Sequence, residues 1–324
     1  MTHAIRIHEV GGPEVLRWEE VMVAEPGPAE ARIRQTAIGL NYIDTYHRSG
    51  LYRLPSLPAI LGVEGAGVVE AIGSEVTAVK PGDRVAYAGP LGAYAESRVI
   101  AADRLVLLPD WLDDTQAAAL MLQGMTAEFL LHRVYRVGPG DQILIQAAAG
   151  GVGLLLCQWA NRLGATVIGT VSNEAKAELA RARGCHHVIL YTQDDFVSRV
   201  RDLTKGAGVS VVYDGVGQST FQGSLECLKP RGMMVSFGQA SGAIPPFDIG
   251  ILSAKGSLFL TRPSLFHYIA SREELLASAA TVFEAVRTGG LKLDVRQHFP
   301  LADAALAHQA LISRSTTGAT VLIP

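Results

Sequence analysis

Two patterns of hydrophobic and polar residues divide the chain. Up to about residue 120, short apolar runs are separated by turn signals such as Gly11-Gly12-Pro13 and Lys80-Pro81-Gly82-Asp83, which predicts a β-rich lobe. From about residue 123, apolar runs alternate with amphipathic stretches, as in residues 142–147 followed by residues 151–163. Because alternating strands and helices form parallel sheets with crossover helices, we expect an α/β protein whose second lobe is a doubly wound sheet.

The second pattern predicts six strands and a returning tail. The predicted strands are residues 142–147, 166–171, 188–191, 210–214, 233–238 and 257–260. Beyond them, the pattern indicates a helix over residues 272–288, then a hairpin-like stretch and a last strand over residues 320–323. We expect this small tail to rejoin the first lobe. The predicted domains are therefore 1–122, 123–261 and 262–324.

A glycine-rich segment marks a candidate nucleotide site. The first strand of the second lobe leads into Ala147-Ala148-Ala149-Gly150-Gly151-Val152-Gly153, which passes directly into a helix. Small residues let the backbone turn sharply, approach a pyrophosphate and pack helix against strand. The N–H groups at the start of the helix can bind an anion. Because the strand precedes the motif and the helix follows it, we predict a dinucleotide site; a tight turn without a ligand is the alternative.

Residues about 20 positions further on favour NADPH over NADH. The next strand ends in Thr170-Val171-Ser172-Asn173, without the carboxylate that would bind a ribose 2′-hydroxyl. Lys176 follows, and Tyr191 ends the third predicted strand. A missing carboxylate and a nearby cation suit a 2′-phosphate, although a solvated lysine is the alternative for Lys176. Glu174 is a contrary sign, but an acid at the start of a helix is favourable in itself.

Composition and charge narrow the class of protein. The chain has 324 residues, of which 48% are hydrophobic and 18% charged, and its net charge is −3, which is typical of a soluble two-domain protein. No basic cluster indicates a nucleic-acid partner, and no apolar run is long enough to span a membrane. The three scattered cysteines are predicted to be buried thiols, and the N-terminus does not resemble a signal peptide. We expect a cytoplasmic protein with a small-molecule substrate.

Seven segments, in order along nearly the whole chain, resemble one family. They are residues 39–52, 61–69, 82–87, 147–153, 211–217, 232–238 and 261–264. Together they resemble the zinc-independent medium-chain dehydrogenases/reductases, and within them the bacterial quinone oxidoreductases of the zeta-crystallin group. The resemblance implies a GroES-like β-barrel domain joined to a Rossmann domain that binds NADPH. It also implies a homodimer formed by edge strands around residues 233–260.

The resemblance further implies roles for individual residues. It assigns the 2′-phosphate to Lys176, Tyr191 and Arg314 and the nicotinamide and its ribose to Asn41, Tyr46, Thr126 and Gly238. It places Tyr52 at the mouth of the substrate site. Asn41, Tyr46 and Tyr52 are therefore the candidate catalytic residues.

The zinc alcohol dehydrogenases, which share this fold, bind their catalytic metal through Cys, His and Cys. Asn41 and Val63 stand at the first two of those places, and the third falls near Leu122, which is apolar. Three scattered cysteines cannot build a four-cysteine structural site. We therefore expect no metal. Without one, an alkoxide lacks its main stabiliser, whereas a quinone becomes aromatic on reduction and can take protons from solvent.

Three functions remain open at this point. Metal-free hydride transfer from NADPH to a quinone is the first. The second is reduction of the C=C bond of an enone or enoyl thioester, with Tyr46 or Tyr52 as proton donor; an aromatic wall is the alternative role for either tyrosine. The third is a binding or structural role, as in lens crystallins or RNA-binding members of the group. The net charge of −3 and the lack of a basic stripe argue against this third function.

Overall fold

A computed structural model describes residues 2–324, which divide into two compact units. The first unit comprises the chain up to Met125 together with Ile269–Ala280 and Leu293–Pro324. The second comprises Thr126–Tyr268 and Thr281–Lys292. No helix among the described residues is both long and apolar enough to cross a lipid bilayer.

Strands and helices occupy most of the described chain. The strands are β1 (Thr2–Ile7), β2 (Arg17–Val21), β3 (Glu30–Leu40), β4 (Ala59–Ile60), β5 (Glu64–Ile72), β6 (Arg84–Ala88), β7 (Ser97–Ala101), β8 (Val106–Leu107), β9 (Gln142–Ile145), β10 (Thr166–Val171), β11 (His187–Leu190), β12 (Val209–Asp214), β13 (Leu228–Ser236), β14 (Phe259–Thr261), β15 (Val295–Pro300) and β16 (Ala319–Ile323). The α-helices are α1 (Tyr42–Ser49), α2 (Asp114–Phe129), α3 (Gly151–Arg162), α4 (Glu174–Ala182), α5 (Phe196–Leu203), α6 (Phe221–Glu226), α7 (Gly250–Ala254), α8 (Leu265–Tyr268), α9 (Arg272–Arg287) and α10 (Ala304–Ile312).

A curved sheet forms the centre of the first unit. Its order is β15-β16-β3-β5-β6-β8, and β7 pairs with β3. The register of β3 against β5 shifts twice, and such bulges bend a sheet. At Gly67 a Cβ would lie 2.2 Å from the carbonyl oxygen of Arg34, so the absence of a side chain lets the two strands approach closely. A second sheet has the order β2-β1-β4.

The second unit contains the predicted doubly wound sheet. Its order is β11-β10-β9-β12-β13-β14, and every neighbouring pair is parallel. The residues of β12 are all buried, as expected for a strand covered by helices on both faces. Chain order reverses between β9 and β12, and ligands of such sheets bind at the carboxyl ends of the strands beside this reversal. The α/β prediction for this lobe is confirmed.

The tail differs from its prediction. β15 and β16 pair in parallel, and α10 connects them. Parallel neighbours need a crossover, so the predicted hairpin-like stretch is wrong. β16 also pairs antiparallel with β3. In the second unit, β13 begins at Leu228, five residues before the predicted start.

Candidate active site

The glycine-rich turn joins β9 to α3. Ala147 has a left-handed φ of 56°, and the N–H of Gly150 donates to its carbonyl oxygen at 3.0 Å. A Cβ at Gly153 would lie 2.4 Å from that same oxygen, so only glycine fits there. At Gly150 the nearest atom would be 3.4 Å away, which leaves room for a ligand. Gly151, Val152 and Gly153 form the first turn of α3, whose N–H groups lack helical acceptors and suit a pyrophosphate.

The ends of β10 and β11 lie in the predicted cofactor site, and Tyr191 there is one of the predicted 2′-phosphate residues. Ser172 directly follows β10, and its carbonyl oxygen accepts a hydrogen bond from the hydroxyl of Thr192 at 3.0 Å. Tyr191 directly follows β11 and is 39% exposed, and its N–H donates to Val171 at 3.1 Å. These bonds hold the two strand ends together at the carboxyl edge of the sheet.

Lys176 lies in the first turn of α4, where the positive end of the helix dipole adds to its charge. The side chain of Asn173 caps this helix by accepting the Lys176 N–H at 3.0 Å. Glu174 forms an exposed ion pair with Arg181 at 2.5 Å. The acid that argued against a phosphate is therefore paired within its own helix. Arg314, the third predicted phosphate residue, is exposed in the first unit, just after α10.

A buried polar chain supports the glycine-rich turn, and the sequence did not reveal it. The Ala147 N–H donates to the Thr170 hydroxyl at 3.3 Å, which in turn donates to the side-chain oxygen of Gln146 at 2.6 Å. The Gln146 amide donates to Ser224 at 3.1 Å, and the Ser224 hydroxyl donates to Asp214 at 2.9 Å. The sequence feature that could have indicated this polar chain is a polar residue at the end of an apolar strand, such as Asp214.

The turns after β12 and β13 lie close together at the same edge. One carboxylate oxygen of Asp214 accepts the N–H groups of Val216 and Gly217, at 2.8 and 3.0 Å. A Cβ at Gly238 would lie 2.4 Å from the carbonyl oxygen of Gly215, so this approach requires glycine. Thr126, the other predicted nicotinamide contact in this unit, is buried on α2.

Three hydrogen bonds fix Asn41 within the first unit. Its backbone N–H donates to Asp44 at 2.9 Å, and its side-chain Nδ2 donates to Glu64 Oε2 at 2.7 Å. Its Oδ1 accepts from Gln123 Nε2 at 3.1 Å. The other oxygen of Glu64, Oε1, accepts the backbone N–H of Leu122 at 2.6 Å. Asn41 is only 6% exposed.

The two candidate tyrosines pack against each other next to α1. The ring centroids of Tyr46 and Tyr52 are 5.1 Å apart in an edge-to-face arrangement, and the Tyr52 N–H donates to the Tyr46 carbonyl at 3.0 Å. Tyr46 is buried, whereas Tyr52 is partly exposed. Because α1 starts immediately after Asn41, this one segment carries all three candidate catalytic residues.

Two fully buried carboxyl groups flank Asn41. Burial raises the pKa of Glu64 to about 8, against the hydrogen bonds from Leu122 and Asn41, which lower it. Burial likewise raises the pKa of Asp44 to about 7. Within residues 2–324, no group of three or more His, Cys, Asp or Glu side chains is arranged to hold a metal ion.

Comparisons with known proteins match each of the two units to a domain family. Residues 27–110 match the alcohol dehydrogenase GroES-like domain, and residues 151–282 match the zinc-binding dehydrogenase family. The chain is 53% identical to quinone oxidoreductase of Pseudomonas aeruginosa over all of both chains. It is 48% identical to 2-haloacrylate reductase of a Burkholderia species, over all of this chain and 99% of that one.

Among solved structures, Escherichia coli quinone oxidoreductase complexed with NADPH superposes with a TM-score of 0.98 at 49% identity. The match covers 99% of this chain and 100% of the other. Full-length identity at this level, with both domains matched in order, establishes the family. The chain belongs to the quinone oxidoreductases of the medium-chain dehydrogenase/reductase family.

Proposed function

We propose that this protein is an NADPH-dependent quinone reductase that transfers hydride from NADPH to a quinone without a metal. The observation that carries the metal-free mechanism is the side-chain amide of Asn41. It occupies the place of a zinc ligand and is bonded on both sides, to Glu64 and Gln123. The name of the 53% identical full-length relative from Pseudomonas aeruginosa supports the choice of a quinone.

NADPH is the proposed cofactor because the residues of the second unit fit its phosphates. Ala147 and the segment Gly150-Gly151-Val152-Gly153 would hold the pyrophosphate at the start of α3. Ser172, Lys176 and Tyr191 would receive the 2′-phosphate, with Arg314 as a further cation. The relative from Escherichia coli was solved in complex with NADPH, which supports the same cofactor here.

When bound, NADPH supplies the hydride, and the chain positions the reactants. Asn41, Thr126 and Gly238 would contact the nicotinamide and its ribose. Tyr46 and Tyr52 would form one wall of the substrate site and orient a quinone oxygen through their hydroxyl groups. Quinone oxygens can take their protons from water because reduction makes the ring aromatic. Positioning and exclusion of water are therefore the protein's main contributions.

Reduction of a C=C bond is a second candidate function. The 48% identity to 2-haloacrylate reductase over the whole chain favours it. That reaction needs a proton delivered to carbon, for which Tyr46 or Tyr52 would be the donor.

We further propose a homodimer formed through β14, the edge strand of the six-stranded sheet. Phe259 on this strand is 57% exposed and Ile249 nearby in sequence is 76% exposed. An apolar edge strand of this kind can pair with the same strand of a second copy.

We also propose a cytoplasmic location, because the three buried free thiols suit a reducing compartment. As functional domains we propose residues 1–122 with 262–324 for the substrate and 123–261 for the cofactor.

Oxidation of NADPH and of NADH, measured with 1,4-benzoquinone and with an unsaturated enone as parallel acceptors, tests these proposals. Fast turnover of the quinone with NADPH, and much slower turnover with NADH, is the expected result. Turnover of the enone alone would replace quinone reduction by alkene reduction. Binding of NADPH without turnover of either acceptor would refute both activities.

A further inference from the structure

Glu64 joins two segments of the first unit through its buried carboxyl group. Its Oε2 accepts from the Asn41 side chain at 2.7 Å, and its Oε1 accepts from the Leu122 backbone at 2.6 Å. By the resemblance, Asn41 stands where the zinc enzymes have one metal ligand, and Leu122 lies near the place of another. The carboxyl group thus links two segments that, by the resemblance, would both contribute to a metal site in the zinc enzymes.

Gly39 makes the room for this carboxyl group. A Cβ at Gly39 would lie 2.3 Å from Glu64 Oε2 and 2.2 Å from the carbonyl oxygen of Ala118. A side chain at position 39 would therefore displace Glu64 or α2. Because the Glu64 carboxyl group is closely packed, its two hydrogen bonds hold the Asn41 side chain and the Leu122 backbone in fixed positions.

The consequence for Asn41 is a single amide orientation. Its Nδ2 faces the acceptor on Glu64, and its Oδ1 faces the donor on Gln123 at 3.1 Å. A flipped amide would place donor against donor and acceptor against acceptor. The second amide hydrogen of Asn41 and the remaining lone pair of its Oδ1 therefore keep fixed directions.

Both partners of Glu64 are N–H donors, so the group between them must supply two acceptors. A carboxyl group does so, whereas the amide of a glutamine has one oxygen and would oppose one N–H with another. A buried carboxyl group is costly to keep, and an apolar side chain would fill the same space without that cost. We propose that Glu64 is a positioning residue for the reaction, which acts by fixing the Asn41 amide toward the nicotinamide end of the cofactor. This inference rests on the proposed function.

The test compares Glu64→Gln with Glu70→Gln, the same change at an exposed position of β5. We expect Glu64→Gln to lower kcat for 1,4-benzoquinone roughly tenfold, the effect of losing one buried hydrogen bond. The Kd for NADPH should change less than about threefold, because the phosphates supply most of the affinity. Glu70→Gln should match the wild type. An unchanged kcat in Glu64→Gln would overturn the proposal.

Asn41→Ala shows whether Glu64 acts through Asn41. In the double variant Asn41→Ala/Glu64→Gln, we expect the kcat of Asn41→Ala alone, since the group being positioned is gone. If the losses in kcat of the two single variants instead multiply in the double variant, Glu64 acts on a group other than Asn41, and the proposal is overturned. If Glu64→Gln does not fold, Gln123→Met takes its place, because it removes the other anchor of the same amide.

The fluorescence of bound NADPH separates this inference from the proposed function. Glu64→Gln should change the nicotinamide emission in the same direction as Asn41→Ala, whether or not a quinone is reduced. Lack of quinone turnover in the wild type would refute the proposed function alone. If Asn41→Ala alters the emission spectrum but Glu64→Gln leaves it identical to that of the wild type, the positioning role of Glu64 is overturned. The proposed function would then be unaffected.

Discussion

The raised pKa of Glu64 makes the stability of this protein depend on pH in a defined direction. In the unfolded chain the carboxyl group titrates near its ordinary pKa of 4.5, whereas burial raises its pKa to about 8 in the folded protein. Between these values the folded protein holds a proton that the unfolded chain has released. The contribution of Glu64 is therefore fully present below the unfolded pKa and is lost as the pH rises through the folded pKa.

The size of the effect follows from this difference in proton binding. One proton corresponds to about 1.4 kcal/mol per pH unit. Between about pH 5.5 and about pH 7.5, the titration of Glu64 should therefore lower the free energy of unfolding of the wild type by about 2 to 3 kcal/mol. A chain of 324 residues unfolds with an entropy of about 0.7 kcal/mol/K. The loss corresponds to a decrease in Tm of about 4 °C.

Glu64→Gln cannot titrate, so it isolates this contribution. The variant is expected to be less stable than the wild type at the lower pH, because it loses an acceptor for Asn41 or Leu122. The difference in Tm between the two proteins should then shrink by about 4 °C toward the higher pH. Thermal unfolding followed by circular dichroism at both pH values measures it, and Glu70→Gln serves as control. A difference in Tm that is the same at both pH values would refute a raised pKa.

Three further substitutions test the cofactor site and the assembly. Lys176→Ala should raise the KM for NADPH roughly tenfold or more and leave the KM for NADH nearly unchanged, because only NADPH loses a charged phosphate contact. Equal changes in the two KM values would contradict the assignment of Lys176 to the 2′-phosphate. Gly153→Val should abolish NADPH binding in calorimetry, because its Cβ would lie 2.4 Å from the Ala147 carbonyl oxygen. Gly138→Ala is its control, since no atom lies within 4 Å of the added Cβ, and tight binding by Gly153→Val would disprove the argument. Phe259→Asp should yield monomers in light scattering, because it places a charge on the proposed dimer edge; an unchanged dimer would exclude β14 as the interface.

The sequence predicted the second unit well because its signals are local. β9, β10 and β12 are short, buried apolar runs, and each is followed by a turn and a helix. The glycine-rich turn could be located because it needs small residues at fixed places along one continuous segment. β10 was predicted to the residue, and β9 ends two residues before its predicted limit.

The features that the sequence did not reveal depend on residues far apart in the chain. Asn41 and Leu122 meet at Glu64 across 23 and 58 positions, and no spacing rule joins them. The polar chain from Gln146 to Asp214 also connects separate strands. In the tail, the helix Ala304–Ile312 was missed, and the direction of β15 relative to β16 follows from that helix.

The most direct test of the central claim is the rate of NADPH oxidation with 1,4-benzoquinone after exhaustive treatment with a chelator. Full activity is expected without metal, with no increase when Zn²⁺ is returned, because Asn41 and Val63 stand at two of the zinc-ligand positions and the third falls near the apolar Leu122. Activity that disappears with the chelator and returns with Zn²⁺ would contradict metal-free hydride transfer.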